Sequence, residues 1–162
     1  MLPETTLDDA ARLLAALQAR GLTIATAESC TGGLIAAALT AIPGSSASVE
    51  AGYVTYSNAA KTAMLGVDPA LIERVGAVSE EVARRMVEGA LRAAGTDIAI
   101  ACTGVAGPGG GSLLKPVGLV WMGAGRRGGA IIAESRIFPG DRAAIRAATV
   151  ARCFEMAHSL LA

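Results

Sequence analysis

Four stretches of this chain carry residues whose types and spacing suit chemistry. The first is Ala27-Glu28-Ser29-Cys30-Thr31-Gly32-Gly33, where a strand-like pattern hands over to a helix-like one. A hydroxyl at such a junction lies near helix N–H groups that stabilise a developing oxyanion, which is the chemistry of acyl transfer. The stretch is not the Gly-x-Ser-x-Gly elbow, because Ala27 and Thr31 hold the glycine places. Ser29 or Thr31 would serve equally well as a plain N-cap. Cys30 is the alternative nucleophile, but its alanine-rich setting without a nearby His suits a packed thiol.

A serine nucleophile needs a base, and this composition offers few. The single histidine, His158, sits near the chain end, and the cations are twelve Arg and two Lys, Lys61 and Lys115. Arginine stays protonated, whereas a lysine gives up its proton when it is desolvated or set near other cations. Lys61 follows both tyrosines of the chain, Tyr53 and Tyr56, and comes just after Ser57-Asn58. To act near neutral pH it must titrate well below the ordinary ~10.4. The plain alternative is a surface lysine.

The other two stretches are suited to anions. Gly104-Val105-Ala106-Gly107-Pro108-Gly109-Gly110-Gly111 follows a strand pattern. It matches neither the Walker spacing nor the dinucleotide fingerprint, since no Lys-Ser or Lys-Thr follows and a strand comes next. It is either a tight connection between strands or a loop whose backbone N–H groups approach an anion. Arg142 and Arg146 stand one turn apart behind Asp141, at the start of the last helix. Cations there oppose the helix dipole unless an anion such as phosphate, or an acidic neighbour, offsets them.

Composition bounds the rest. The chain has 162 residues with 14 basic and 14 acidic side chains, so there is no basic excess to neutralise nucleic-acid phosphates. One histidine excludes multi-His metal sites, and Cys30, Cys102 and Cys153 form neither a CxxC pair nor a zinc cluster. The N-terminus has no basic flank followed by an apolar run, and Leu34 to Ile42 is far short of a membrane span. We therefore expect a cytoplasmic protein with no membrane partner. At 52% apolar but only 3% aromatic, the core must be built from Ala, Val, Ile and Leu.

These residues must be held by the following elements. Periodicity predicts a helix over Leu7 to Arg20 with Thr6 as N-cap, a strand over Leu22 to Ala27, and a helix from about Thr31 to Thr40. A strand over Val49 to Tyr56 follows, then short helices over Asn58 to Leu65 and Pro69 to Val75. Ser79 opens a helix to about Ala94, and Asp97 to Thr103 reads as a strand. Strands over Val117 to Met122 and Ala130 to Phe138 form a hairpin through Gly125 to Gly129, and Asp141 caps a terminal helix. The order indicates one α/β domain over residues 1–162, with helices covering a mixed sheet.

Thr26-Ala27-Glu28-Ser29-Cys30-Thr31-Gly32-Gly33, Pro43-Gly44-Ser45-Ser46, Val54-Thr55-Tyr56-Ser57-Asn58-Ala59-Ala60-Lys61, Gly76-Ala77-Val78-Ser79 and Thr103-Gly104-Val105-Ala106-Gly107-Pro108 occur in this order. With Lys115-Pro116-Val117-Gly118 and Gly140-Asp141-Arg142, they resemble the CinA C-terminal domain family, the nicotinamide mononucleotide deamidases, from about Leu7 onward. The resemblance implies a three-layer α/β/α fold, a homodimer, and no metal or organic cofactor. It implies hydrolysis of the carboxamide of nicotinamide mononucleotide, with Ser29 as nucleophile, Lys61 as its activator and Tyr56, in preference to Tyr53, assisting. Thr31, Gly32, Gly33, Thr103 and Gly104 would hold the oxyanion or substrate, together with Ser46 and Gly107, and Arg142 would take the 5′-phosphate. Many relatives carry this domain behind a larger one, and this chain has the look of the free-standing form. The rival reading is a pyridine-nucleotide sensor or a competence-associated accessory protein. A phosphohydrolase lacks the acidic cluster for Mg²⁺.

Overall fold

Strand β3 (Ile98–Gly104) alternates large and small side chains, and this alternation sets the layers. Ile98, Ile100 and Cys102 face one core, shared with Leu13, Leu14 and Leu17 of α1 (Glu4–Ala19), Ile35 and Leu39 of α2 (Leu34–Thr40), and Phe154 of α6 (Arg142–Ser159). Ala99 and Ala101 face the other, against Leu65 of α3 (Asn58–Leu65), Ile72 of α4 (Pro69–Val75) and Val82, Met86 and Val87 of α5 (Glu80–Ala94). The computed structural model describes residues 2–162.

The sheet runs β2-β1-β3-β4-β5. Strand β1 (Ile24–Glu28) is parallel to β2 (Val49–Val54) and to β3, while β4 (Leu119–Arg126) and β5 (Ile131–Ile137) extend it antiparallel. This is the three-layer α/β/α architecture with a mixed sheet. Both parallel connections cross the sheet, one through α2 and the other through α5 on the opposite face, so the chain switches direction at β1. No helix among the described residues is long and apolar enough to cross a membrane.

The near-absence of aromatics has a packing cause on the α5 side. Helix α5 lies so close to the sheet that a Cβ at Gly123 would stand 2.8 Å from Val87 Cγ2, and one at Gly125 would stand 2.6 Å from Val87 Cγ1. Gly89 of α5 likewise meets α3, where its Cβ would stand 2.1 Å from the Leu65 carbonyl oxygen. Small residues on both surfaces bring the layers into this contact.

Most boundaries fall where the sequence puts them, including α3, α4, the Ser79 cap on α5 and the Asp141 cap on α6. Four differ for physical reasons. Helix α1 begins at Glu4 behind Pro3, whose carbonyl accepts from Thr6 N and Leu7 N, so Thr6 is a buried first-turn residue and not the cap. Helix α2 starts at Leu34 and not Thr31, because Gly32 and Gly33 take positive φ (57° and 101°) and cannot continue a right-handed helix. Strand β2 ends at Val54, two residues early; Thr55 N still bonds the Glu28 carbonyl of β1, and Tyr56 is the first residue to leave the sheet. Strand β4 runs through Gly125 to Arg126, since Gly125 is needed under α5, and the turn is left to residues 127–130.

Replacing Gly89 by Ala tests the α3–α5 contact. The gain of about 1 kcal/mol in helix propensity should be outweighed by overpacking of about 1–3 kcal/mol or more against a backbone carbonyl. Urea denaturation should show a net loss of stability. Gly129→Ala, whose Cβ would make only ordinary contacts beyond 3.5 Å, should stay within about 0.5 kcal/mol of the parent.

Candidate active site

The three parallel strands end at one edge of the molecule, and each delivers part of a site. Ser29 follows β1, Thr55 to Asn58 follow β2, and the Thr103–Gly110 loop leaves β3. The crevice at the carboxyl ends of such strands, where the connections diverge, is the place where open α/β sheets bind ligands. Here it is a cavity of about 300 Å³, lined among others by Ser29, Lys61, Asn58, Thr103, Gly107 and Arg142. That volume lies at the small end of the range for small-molecule pockets.

Lys61 forms the floor. It is among the largest fully buried side chains of the described residues, with 1% of its surface exposed. Its Nζ lies 2.9 Å from Ser29 Oγ, 2.8 Å from the Thr55 carbonyl oxygen and 3.4 Å from that of Tyr56. Burial pushes its pKa below the ordinary lysine value, and no carboxylate pairs with it among the described residues. Nζ can donate to all three oxygens, and in the neutral form that burial favours, two N–H bonds keep the two carbonyls while the lone pair is free to accept from the Ser29 hydroxyl.

Ser29, 8% exposed, sits in a turn held from several sides. Its N–H donates to the Cys102 carbonyl at 3.2 Å, and its carbonyl accepts from Gly32 N at 3.0 Å. Glu28, 1% exposed, turns its carboxylate the other way. It accepts from Thr31 Oγ1 at 2.6 Å, Ile35 N at 2.8 Å and Ala36 N at 3.0 Å. The start of α2 is thereby filled by an internal acid, and its amides are not free for an oxyanion. Nor is the Gly32 N–H, which is spent on Ser29. Cys30 follows directly at the pocket wall, its thiol held up by its hydrogen bond to Cys102 and by burial, so it stays protonated and packed.

The rim is an arginine strap. Arg142 donates from Nη1 to the Gly107 carbonyl at 2.8 Å and from Nη2 to the Tyr56 hydroxyl at 3.1 Å. It retains N–H donors for an anion. Tyr56 is thus 61% exposed with its hydroxyl on Arg142, and it meets Lys61 through its backbone carbonyl. Thr103 Oγ1 donates to the Ala77 carbonyl, and Lys115 Nζ to the Val75 carbonyl at the end of α4, each at 2.9 or 2.8 Å. These two bonds tie the glycine loop to the opposite wall.

Of the residues read from the sequence, Ser29, Tyr56, Lys61, Thr103, Gly104, Gly107 and Arg142 converge on this pocket. Thr31, Gly32 and Gly33 build the turn behind Ser29 without lining it. Tyr53 packs against the α5-side core, and Ser46 is exposed in the Ser45–Ala47 turn. His158 is exposed near the end of α6. Arg146, read from the sequence with Arg142 as an anion-binding pair, instead reaches the Cys30 and Thr31 carbonyls of the turn behind Ser29. Glu28 and Asn58 were not singled out as site residues by the sequence, and of these only Asn58 had a visible signal, as the first helical residue after Tyr56-Ser57. Among the described residues no three His, Cys, Asp or Glu side chains cluster so as to hold a metal ion.

Comparison with known proteins agrees with this picture. The model of the CinA C-terminal domain matches residues 7–161. A Pseudomonas putida protein named nicotinamide-nucleotide amidohydrolase PncC is 55% identical over 148 residues, covering 91% of each chain. The protein of that name from Enterobacter agglomerans is 53% identical over 132 residues, 82% of this chain and 80% of its own. The crystal structure of the competence/damage inducible protein CihA from Agrobacterium tumefaciens superposes with a TM-score of 0.96 at 46% identity, covering 99% of this chain and 98% of that one.

Glu28→Gln keeps the shape of the buried acid but turns an amide NH₂ toward donors. Loss of charge-assisted bonds and a buried clash of donors should cost about 2–3 kcal/mol in a urea titration.

Proposed function

This chain belongs to the CinA C-terminal domain family, and from that premise we propose that it hydrolyses the carboxamide of nicotinamide mononucleotide, releasing nicotinic acid mononucleotide and ammonia. The observation that carries this reading is the 2.9 Å contact between a buried, uncompensated Lys61 amine and the Ser29 hydroxyl. The names of relatives at 52–55% identity support an amidohydrolase acting on a nicotinamide nucleotide.

In the proposed mechanism Ser29 Oγ attacks the amide carbon while Lys61 Nζ takes its proton. The pyridinium ring withdraws electrons from that carbon, and the backbone N–H groups left uncommitted on the pocket wall, at Cys30, Ala106 and Gly107, hold the oxyanion. When the intermediate collapses, the C–N bond breaks and Lys61 returns the proton to the departing ammonia. Water then adds to the acyl-serine ester, Lys61 accepts its proton, and the carboxylate leaves as Ser29 recovers its hydrogen. Lys61 does not need a counter-ion for this cycle, because Thr55 and Tyr56 orient its N–H bonds. Arg142, bridging Tyr56 and the glycine loop, receives the 5′-phosphate at the rim.

Ammonia release from nicotinamide mononucleotide, followed in the presence of EDTA, tests the reading, and binding without ammonia release would sink it in favour of a sensor. Ser29→Ala should abolish the acyl-enzyme, and Lys61→Met should lower turnover by about 10²–10⁴-fold. Because the neutral amine is the active form and burial lowers the Lys61 pKa, kcat/KM should rise with pH through a value below that of ordinary lysine and then level off. Arg142→Ala should raise KM for the nucleotide far more than for the phosphate-free nucleoside.

A further inference from the structure

Arg146, one turn after Arg142 on α6, has no part in the mechanism above, yet it reaches across the molecule to the nucleophile's turn. Its Nε donates to the Cys30 carbonyl at 3.1 Å and its Nη2 to the Thr31 carbonyl at 3.0 Å. The guanidinium lies against the turn itself, since a Cβ at Gly32 would stand 3.4 Å from Nη2. With Ser29's own carbonyl taken by Gly32 N, every carbonyl from Ser29 to Thr31 is held.

These bonds matter because a trans peptide is planar, so fixing a carbonyl oxygen fixes the next residue's N–H in the opposite direction. The Cys30 and Thr31 carbonyls are pinned toward α6, which turns the Thr31 and Gly32 N–H groups away from it, and Gly32 N is found on Ser29 O. Leu34 N also reaches the Thr31 carbonyl, at 3.1 Å, so among the described residues it is the Cys30 carbonyl that Arg146 alone holds. The turn ends in two glycines at positive φ, and the first is solvent-exposed. A guanidinium suits the task because its planar fork engages two carbonyls at once, whereas an ammonium cannot match that geometry. Arg142, one helical turn earlier, is committed to Gly107 and Tyr56. The two arginines therefore divide the work between the rim and the floor.

We propose that Arg146 is a positioning residue that locks the peptide planes of the Ser29–Gly32 turn and so sets the aim of Ser29 Oγ on the substrate carbonyl. It does not bind the substrate's phosphate. This rests on the amidohydrolase reading above. The test uses the full chain with Arg146→Lys, Arg146→Gln and Arg146→Met, each checked for a cooperative thermal unfolding transition. Misplacing a nucleophile by an ångström or less predicts kcat for ammonia release lower by about 10- to 100-fold in Arg146→Met. KM for nicotinamide mononucleotide should stay within about threefold, with partial recovery of kcat in Arg146→Lys. A rise in KM with unchanged kcat would assign Arg146 to phosphate binding and overturn the proposal, as would parent-like kcat in all three variants. If Arg146→Met does not fold, the Lys and Gln variants carry the same comparison. Labelling by an aryl fluorophosphonate, with Ser29→Ala as blank, reads Ser29 without any substrate. Should the parent release no ammonia, the amidohydrolase reading fails, and slower labelling of the Arg146 variants would still support the positioning role, while equal labelling would overturn it.

Discussion

A primary amine has been taken out of water at Lys61 and given two carbonyls and one hydroxyl, but no carboxylate. Desolvation alone would make that costly for an ammonium ion. The surrounding backbone is arranged to suit an amine. Strand β2 makes its last ladder bonds at the level of Glu28, through Thr55 N at 2.8 Å, and then leaves the sheet so that the Thr55 and Tyr56 carbonyls face inward. Ser57 caps the next helix by accepting from Ala60 N, and this starts α3 in the register that points Lys61 back at those carbonyls.

The acid nearest the nucleophile in sequence is disposed to preserve this arrangement. A carboxylate facing Lys61 would favour its protonated form and remove its basicity. Glu28 instead turns to the opposite side of β1 and is absorbed by Thr31 and two amides at the start of α2. Glu28, the last residue of β1, and Ser29, the first beyond it, thus point a carboxylate and a hydroxyl to opposite sides of the sheet. The charge anchors the turn, and the nucleophile uses it.

Two helices were legible because their caps are side-chain types: Ser79 and Asp141 each accept from a first-turn amide as read from the sequence, and Ser57 and Asp68, unread there, do the same for α3 and α4. Lys61 was legible through rarity, in a chain that otherwise writes its cations almost wholly as Arg. What could not be read is carried by the backbone or by tertiary direction. Tyr56 meets the lysine with a carbonyl that any residue could supply, and its hydroxyl goes to Arg142. Tyr53 lies within β2, whose alternation sends it to the α5-side core, whereas Tyr56 lies beyond the strand's end. Arg142 and Arg146 look equivalent at helical spacing, yet one reaches the rim and the other the floor. The turn amides that seemed open from the sequence are partly occupied by Glu28 and Ser29 itself.

The arginine strap also ties the chain's last helix to its first strand. Ser29 and Lys61 lie in the first half of the sequence, while the groups steadying their turn and rim come from residues 142 and 146, more than eighty positions later. Contacts of such long range form late in folding, after loop-closure entropy has been overcome. A nascent or clipped chain lacking α6 would hold the nucleophile and base residues without the geometry to employ them. On the reading proposed above, hydrolytic competence is therefore coupled to completion of the fold.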